Sequence, residues 1–249
     1  MSRRSLDEVV TLVDGVEGWL SIDQVARLYA AGCAVPAGRQ VVEIGSFRGR
    51  STIVLASAVD DGVTVVAIDP HAGNDRGPQE ITGFADEAQS DHEIFNANLA
   101  AAAVGERVRH VREFSDRAVD AVCGEIALLF IDGAHRYGPA RADIRTWGSR
   151  VADGGAMLIH DSFSSVGVTA AICRELVFGS RFRYVGRSRS LAEYCADLET
   201  GWRSRSRNVA VQLVQIPWFV MNVALKMLLT LHLGRLLERA TGRTPEWPY

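Results

Sequence analysis

The sequence predicts an α/β fold, with helices on both faces of one mostly parallel sheet, and three stretches carry that prediction. From Leu128 to Asp161 it reads LLFIDGAHRYGPARADIRTWGSRVADGGAMLIHD. An apolar run ends at Asp132-Gly133, a helical span follows from Tyr137 to Val151, and a turn at Asp153-Gly154-Gly155 leads into a second apolar run, Ala156 to Ile159, ending at His160-Asp161. Parallel strands joined by a crossover helix finish on the same edge of their sheet. Asp132, His135, His160 and Asp161 are therefore expected together at one rim, the edge at which open α/β sheets bind ligands. The second stretch is Gln40 to Ile44, a short strand that runs into a glycine turn and a helix start, EIGSFRGRST. The third is the pair Arg181 to Val185 and Ser190 to Tyr194, whose short link at Gly186-Arg187 predicts antiparallel strands closing the sheet.

The other elements fill the alternation. Residues 4–14 and 21–33 read as two short helices, the second with Ser21 as N-cap and apolar residues at helical spacing (Ile22, Val25, Leu28, Tyr29). After the glycine turn a helix runs from about Ser51 to Val59, and the next strand, Val63 to Ile68, ends at Asp69. From His71 to about Ala85 the chain is rich in Gly, Pro, Asn and Asp and reads as a long rim loop. A helix from about Asp86 to Ala103, a strand from Arg107 to Arg112, a helix at Asp116 to Val122 and, beyond Asp161, a helix from about Val166 to Phe178 complete the core.

The chain has 249 residues, 47% of them hydrophobic, which suits one sizeable core with extensions. Three regions follow: N-terminal helices over 1–38, a central domain over 39–200, and a tail over 201–249. The net charge is −3, but the tail alone carries seven basic and two acidic residues, which leaves −8 on the rest. In that acidic part the arginines are interspersed with Asp and Glu, so no nucleic-acid partner is expected. Cys33, Cys123, Cys173 and Cys195 have no CxxC spacing and read as reduced thiols. MSRRSLDEVV lacks the apolar core and cleavage site of a secretory signal, which makes the cytoplasm the expected compartment.

The turn at Gly45 to Gly49 lets a ligand approach the backbone at a helix N-terminus. It is not the dinucleotide fingerprint GxGxxG, because Glu43 stands where the first glycine would be. Asp69, some twenty residues on, is placed to accept hydrogen bonds from ribose hydroxyls. Its plainer reading is a turn or capping residue.

VVEIGSFRGRST, VVAIDP, FxxNL (Phe95 to Leu99), LLFIDGAHRYGPARADIRTW and DGGAMLIHD together resemble class I S-adenosylmethionine-dependent methyltransferases, and more narrowly the methyltransferase-24 family, whose relatives include metal-dependent O-methyltransferases of macrolide sugars. The resemblance covers residues 20 to 195. It implies a Rossmann-like sheet of seven strands with the last antiparallel, and S-adenosylmethionine as cofactor. It implies cofactor contacts at Gly45, Ser46, Gly49, Arg50 and Ser51, with Glu43 holding the turn or contacting the cofactor's amino group, ribose contact at Asp69, adenine flanked by Phe114 and Ser115, and Asp132 at the cofactor's edge. It further implies Mg²⁺ held by Asp132, His160 and Asp161, with His135 as base. The macrolide-sugar enzymes have a carboxylate where His160 stands here.

The residue chemistry suits that implication. Methyl transfer to a hydroxyl needs in-line approach and removal of a proton near neutral pH. Two aspartates are hard oxygen ligands for Mg²⁺, which can lower a hydroxyl pKa and hold adjacent sugar oxygens. Against this, strand-end acids also cap helices, His135 can be a simple loop residue, and His160 and Asp161, as strand neighbours, point to opposite faces unless the chain has already turned. Asp143 and Arg145 read as surface or structural, and Trp147 as packing on the sheet. The expected acceptor is a saccharide or other small-molecule hydroxyl. A catechol-type acceptor is the runner-up, and a nicotinamide dehydrogenase or a non-catalytic cofactor-binding protein ranks lower.

The tail from Arg203 to Arg239 reads as a helical appendage. Asn208, Gln212, Gln215, Asn222 and Lys226 recur at steps of three, four and seven, leaving a broad apolar face. These polar residues argue against a membrane span. Burial of the apolar face against this chain or a second subunit is one reading, with a homo-oligomer expected. Interfacial association with the inner membrane face is the other, because Arg203, Arg205 and Arg207 precede an amphipathic helix bearing Trp218.

Overall fold

The computed structural model describes residues 3–72, 85–199 and 201–231. Seven strands, β1 (Gln40–Ile44), β2 (Thr64–Ile68), β3 (Val108–Val111), β4 (Ile126–Ile131), β5 (Val151–Ile159), β6 (Arg183–Ser188) and β7 (Leu191–Cys195), form one sheet in the order β3-β2-β1-β4-β5-β7-β6. β1 pairs in parallel with β2 and β4, and β7 lies antiparallel between β5 and β6. The expected Rossmann-like sheet with its last strand antiparallel is thus present. Chain order reverses between β1 and β4, and that switch point opens a crevice at the strands' C-terminal ends.

Alternation along the strands divides the core in two. Val42, Ile44, Leu129 and Ile131 face one layer, where Trp147, Ile144 and Ile172 of the later helices pack with Phe163 of the turn after β5. Val41, Leu128 and Phe130 face the other, against Leu28, Ile53, Leu55 and Phe95. Near-continuous apolar strands are what a sheet covered on both faces requires. The helices are α1 (Leu6–Val13), α2 (Ile22–Cys33), α3 (Arg50–Ala58), α4 (Ala85–Ala101), α5 (Tyr137–Gly148), α6 (Val166–Ile172), α7 (Trp202–Leu213) and α8 (Ile216–Thr230). At the start of α2 the Ser21 N–H donates to Gln24 Oε1 at 2.8 Å, so Gln24 is fixed at the helix start.

Four elements differ from their sequence reading. The helix expected at Asp116 to Val122 is only a 3-10 turn, Val119–Ala121, since so short a segment cannot repay helix nucleation. β5 begins at Val151, where the α5 span was expected to end, because Val151 pairs with Ile126 and the Asp153-Gly154-Gly155 stretch is absorbed as an irregularity in the ladder. The β6–β7 link falls at Arg189-Ser190, with Gly186 inside β6. α6 ends at Ile172 and continues as a π-turn over Cys173–Val177. Most of the loop expected from His71 to Ala85, and the tail beyond Leu231, lie outside the described residues.

α7 and α8 pack on the domain by their polar side. Asn208 accepts from the Tyr184 N–H at 2.8 Å and donates to the Phe182 carbonyl at 3.1 Å. Asn222 donates to the Phe163 carbonyl, and Lys226 Nζ donates to the Ser164 hydroxyl at 2.9 Å. Trp218 and Phe219 are half-buried against the core, with the Arg187 guanidinium 3.7 Å from the Trp218 ring centre. Of the apolar face read from the sequence, Trp218 and Phe219 are thus covered by this chain, whereas Val214, Val220, Met221 and Met227 point outward.

Candidate active site

The β1–α3 turn borders a cleft of about 680 Å³ that extends along β4 toward His135 and Asp143. Gly45 takes φ +86°, and a side chain there would strike the Asp132 carbonyl, so the two strand ends touch only because residue 45 has no Cβ. Asp69 holds the turn to β2. Its Oδ2 accepts from the N–H groups of Ser46 (2.9 Å) and Phe47 (2.8 Å), and its Oδ1 from His71 (2.8 Å). Three of about four lone-pair positions are occupied in this way, which leaves room for one further donor such as a ribose hydroxyl. We expect Asp69→Asn to weaken S-adenosylhomocysteine binding about ten- to a hundredfold in calorimetry, through loss of charge-assisted bonds that set the turn. Unchanged affinity would remove Asp69 from the cofactor site.

Glu43 does not reach the cleft. It is fully buried beneath the turn, accepting from the hydroxyls of Ser51 and Thr52 at the start of α3. Burial pushes its carboxyl up to about 8, against the lowering effect of the two hydroxyl bonds. The folded protein therefore binds a proton here that the unfolded chain releases above about 4.5. Stability from this group is complete below that value and declines as pH rises toward 8. Glu43→Gln should flatten the fall in melting temperature between about pH 5 and 8; an unaltered slope would show that Glu43 is ionised in the fold.

The remaining turn residues divide between structure and cleft. Ser51 serves Glu43, and Arg50 donates to the carbonyls of Val13 and Val16, tying down the N-terminal segment. Gly49 precedes α3 as its N-cap. Ser46 and His71 line the cleft, and the buried Ser46 Oγ and His71 Nε2 have no hydrogen-bond partner among the described residues. Orphaned buried polar atoms beside a cleft of this size fit a ligand carrying an amino acid group, ribose hydroxyls and a base.

At the other end Phe114 is half-exposed and Ser115 donates to Asp143 at 2.5 Å, while Trp147 Nε1 donates to the Ser115 carbonyl at 3.2 Å. Asp143, read from sequence as surface or structural, is a buried carboxyl lining the cleft, pushed up to about 6 by burial. A polar residue in the middle of an amphipathic helix gave no signal of this. Trp19, whose ring lies 5.0 Å from that of Phe47, also lines the cleft from the N-terminal segment.

Asp132, His135, His160 and Asp161 do meet. His135 Nε2 lies 2.5 Å from Asp161 Oδ2, and His160 Nδ1 lies 3.1 Å from Asp132 Oδ1 and 3.8 Å from Asp161 Oδ2. Asp161 takes φ +55°, so the chain has left the strand and both neighbours reach the same cluster. Gly167 lets α6 approach the His135 carbonyl more closely than a Cβ would allow, which fixes the loop. Burial alone would lower the His135 pKa, but the Asp161 bond and the charges of Asp161 and Asp132 raise it. Asp161 is held well below the usual carboxylate range: burial would raise it, but His135 and the nearby positive groups outweigh that.

The donor atoms that converge, all within 4.8 Å, belong to Asp132, His135 and Asp161. His160 stands behind Asp132, with its other ring nitrogen 3.3 Å from Gln24 Nε2. The two carboxylates are hard oxygen ligands that suit a divalent cation such as Mg²⁺, whereas the imidazole beside them is a softer ligand and can carry a proton instead.

The sheet order β3-β2-β1-β4-β5-β7-β6 is that of the class I methyltransferase fold. Residues 42–162, just under half of the chain, match the family model described as a methyltransferase domain. Solved structures with the same fold include NovP, an O-methyltransferase (19% identity, TM-score 0.57, covering 71% of this chain and 81% of that one). An O-methyltransferase from Bacillus cereus in complex with SAH shares 17% identity at TM-score 0.50, covering 76% and 88%. TomG from Streptomyces achromogenes, an O-methyltransferase of tomaymycin synthesis in complex with SAM, shares 16% at TM-score 0.50, covering 78% and 89%.

Proposed function

We propose that the chain transfers the methyl group of S-adenosylmethionine to a hydroxyl of a sugar or glycoside, with Mg²⁺ held by Asp132 and Asp161 and with His135 as general base. The observation that carries this reading is the convergence of Asp132, His135 and Asp161 beside the cleft bordered by the Gly45 turn. That NovP, TomG and the Bacillus cereus protein are O-methyltransferases favours oxygen as the acceptor atom.

Asp132 and Asp161 would hold Mg²⁺, whose charge would lower the pKa of the acceptor hydroxyl. With Nε2–H donated to Asp161 Oδ2, His135 keeps its lone pair on Nδ1. Nδ1 takes the hydroxyl proton as the oxygen attacks the methyl in line with the departing sulfur. An O–CH₃ bond forms, the S–CH₃ bond breaks, S-adenosylhomocysteine leaves and the proton stays on His135. Asp161 orients the ring and stabilises the imidazolium, while His160 and Gln24 brace Asp132 from behind.

The aromatic pair Trp19 and Phe47 favours a second reading, a catechol-type acceptor stacked at the cleft. A panel of glycosides and catechols incubated with methyl-labelled S-adenosylmethionine and Mg²⁺ separates the two, since the labelled product identifies the acceptor in mass spectrometry. Calorimetry in which neither S-adenosylmethionine nor S-adenosylhomocysteine binds, while NADH does, would overturn the reading altogether.

A further inference from the structure

The C-terminal helices are amphipathic in the reverse of the usual sense. Their polar stripe, Asn208, Gln212, Asn222 and Lys226, faces the domain, with the three amides 4%, 0% and 2% exposed. Their apolar stripe faces away: Val214 is 72% exposed, Met221 57% and Met227 62%, with Leu213, Val220 and Leu231 in the same row. Leu213, Val220 and Met227 recur at steps of seven, as do Val214 and Met221, and Leu231 follows Met227 by four, so they form one ridge along α7 and α8. A ridge of large apolar side chains in water is a cost that a contact surface removes.

The charges say which surface. Arg203, Arg205 and Arg207 are exposed at the start of the ridge, and no acidic residue stands between Gly201 and Leu237. The rest of the chain is acidic, −8 over residues 1–200, and would be repelled by an anionic bilayer except on this one side. The segment Trp202–Thr230 is long and apolar enough to cross a membrane by length and composition. Crossing would strip Asn208, Asn222 and Lys226 of their bonds to the domain and place them in hydrocarbon, which is costly.

We propose that α7 and α8 lie flat on an anionic lipid surface, with Leu213, Val214, Val220, Met221 and Met227 among the acyl chains and Arg203, Arg205 and Arg207 at the phosphates. The polar stripe stays bonded to the domain, so the domain rides on the bilayer without a spanning segment. Arginine stems lie along apolar surface with their heads in the headgroup layer, and helices of this composition bind with a strength set by apolar area and lipid charge together.

The test is flotation of the full-length protein with vesicles of equimolar phosphatidylglycerol and phosphatidylcholine, and with vesicles of phosphatidylcholine alone. Binding is expected to the first and at least about tenfold less to the second. Val214→Glu combined with Met221→Glu, both on solvent-facing side chains, should reduce binding to the anionic vesicles at least about tenfold with circular dichroism and cofactor binding unchanged. Arg203→Gln with Arg205→Gln and Arg207→Gln should reproduce the weaker binding to neutral lipid. Wild-type protein that ignores both vesicle types overturns the proposal. So does a wild-type dimer in analytical ultracentrifugation that stays off lipid and that the two glutamates dissociate, because the ridge would then be an interface between two copies of this chain.

Discussion

Asp132→Ala is expected to lower methyl transfer by at least about a thousandfold, the scale of several kcal/mol of lost charge stabilisation at the reacting oxygen. The fold should survive, because the side chain sits at a strand end and only its backbone takes part in the β1–β4 contact: its N–H donates to the Ile44 carbonyl at 2.8 Å. Circular dichroism and the melting temperature should therefore change little, while His160 loses the carboxylate 3.1 Å from its Nδ1. Excess chelator should lower the wild-type rate by a similar factor, and added Mg²⁺ should restore it. An acceptor methylated at full rate in chelator removes the metal from the mechanism and leaves His135 acting alone.

His135→Ala should reduce turnover by roughly 10²- to 10⁴-fold, the range for a lost general base, with cofactor affinity unchanged in calorimetry. The loss should shrink toward high pH, where hydroxide and the acceptor's own ionisation replace the base. Combining His135→Ala with Asp132→Ala should cost far less than the product of the two single effects, because both act on one proton transfer. A fully active His135→Ala protein would mean that the cluster serves some other end.

Much of this site could be read from the chain because it lies where periodic pattern and topology coincide. The apolar runs at Leu128 and Ala156 fix two parallel strands, and the parallel rule alone brings Asp132 and Asp161 to one rim. What could not be read depends on how the backbone turns after the pattern stops. Alternation placed His160 and Asp161 on opposite faces, and only the turn at Asp161 brings both into reach. The same applies to Glu43: a polar residue inside a strand marks the site, but the two hydroxyls that hold it below the turn become visible only when α3 folds back over β1. Asp143 and Trp19 reach the cleft through tertiary packing of α5 and of the N-terminal segment. In the tail the polar period was correct, and its direction was not recoverable, because a helical stripe does not say which side meets the protein.

The left-handed backbone at Asp161 narrows the alphabet of that position. Asparagine, aspartate and glycine are the residues that visit this conformation at small cost, so alanine scanning at 161 conflates a refolded turn with a missing carboxylate. Asp161→Asn keeps the turn and the shape and removes only the charge, whereas Asp161→Gly keeps the turn and removes the whole side chain. The pair isolates electrostatics from geometry at one atom position. It also defines how distant relatives should be screened for a working centre: a chain with Asn or Gly after the histidine that follows β5 has a site of the same shape without its charge, while a β-branched residue there implies a different path for the backbone.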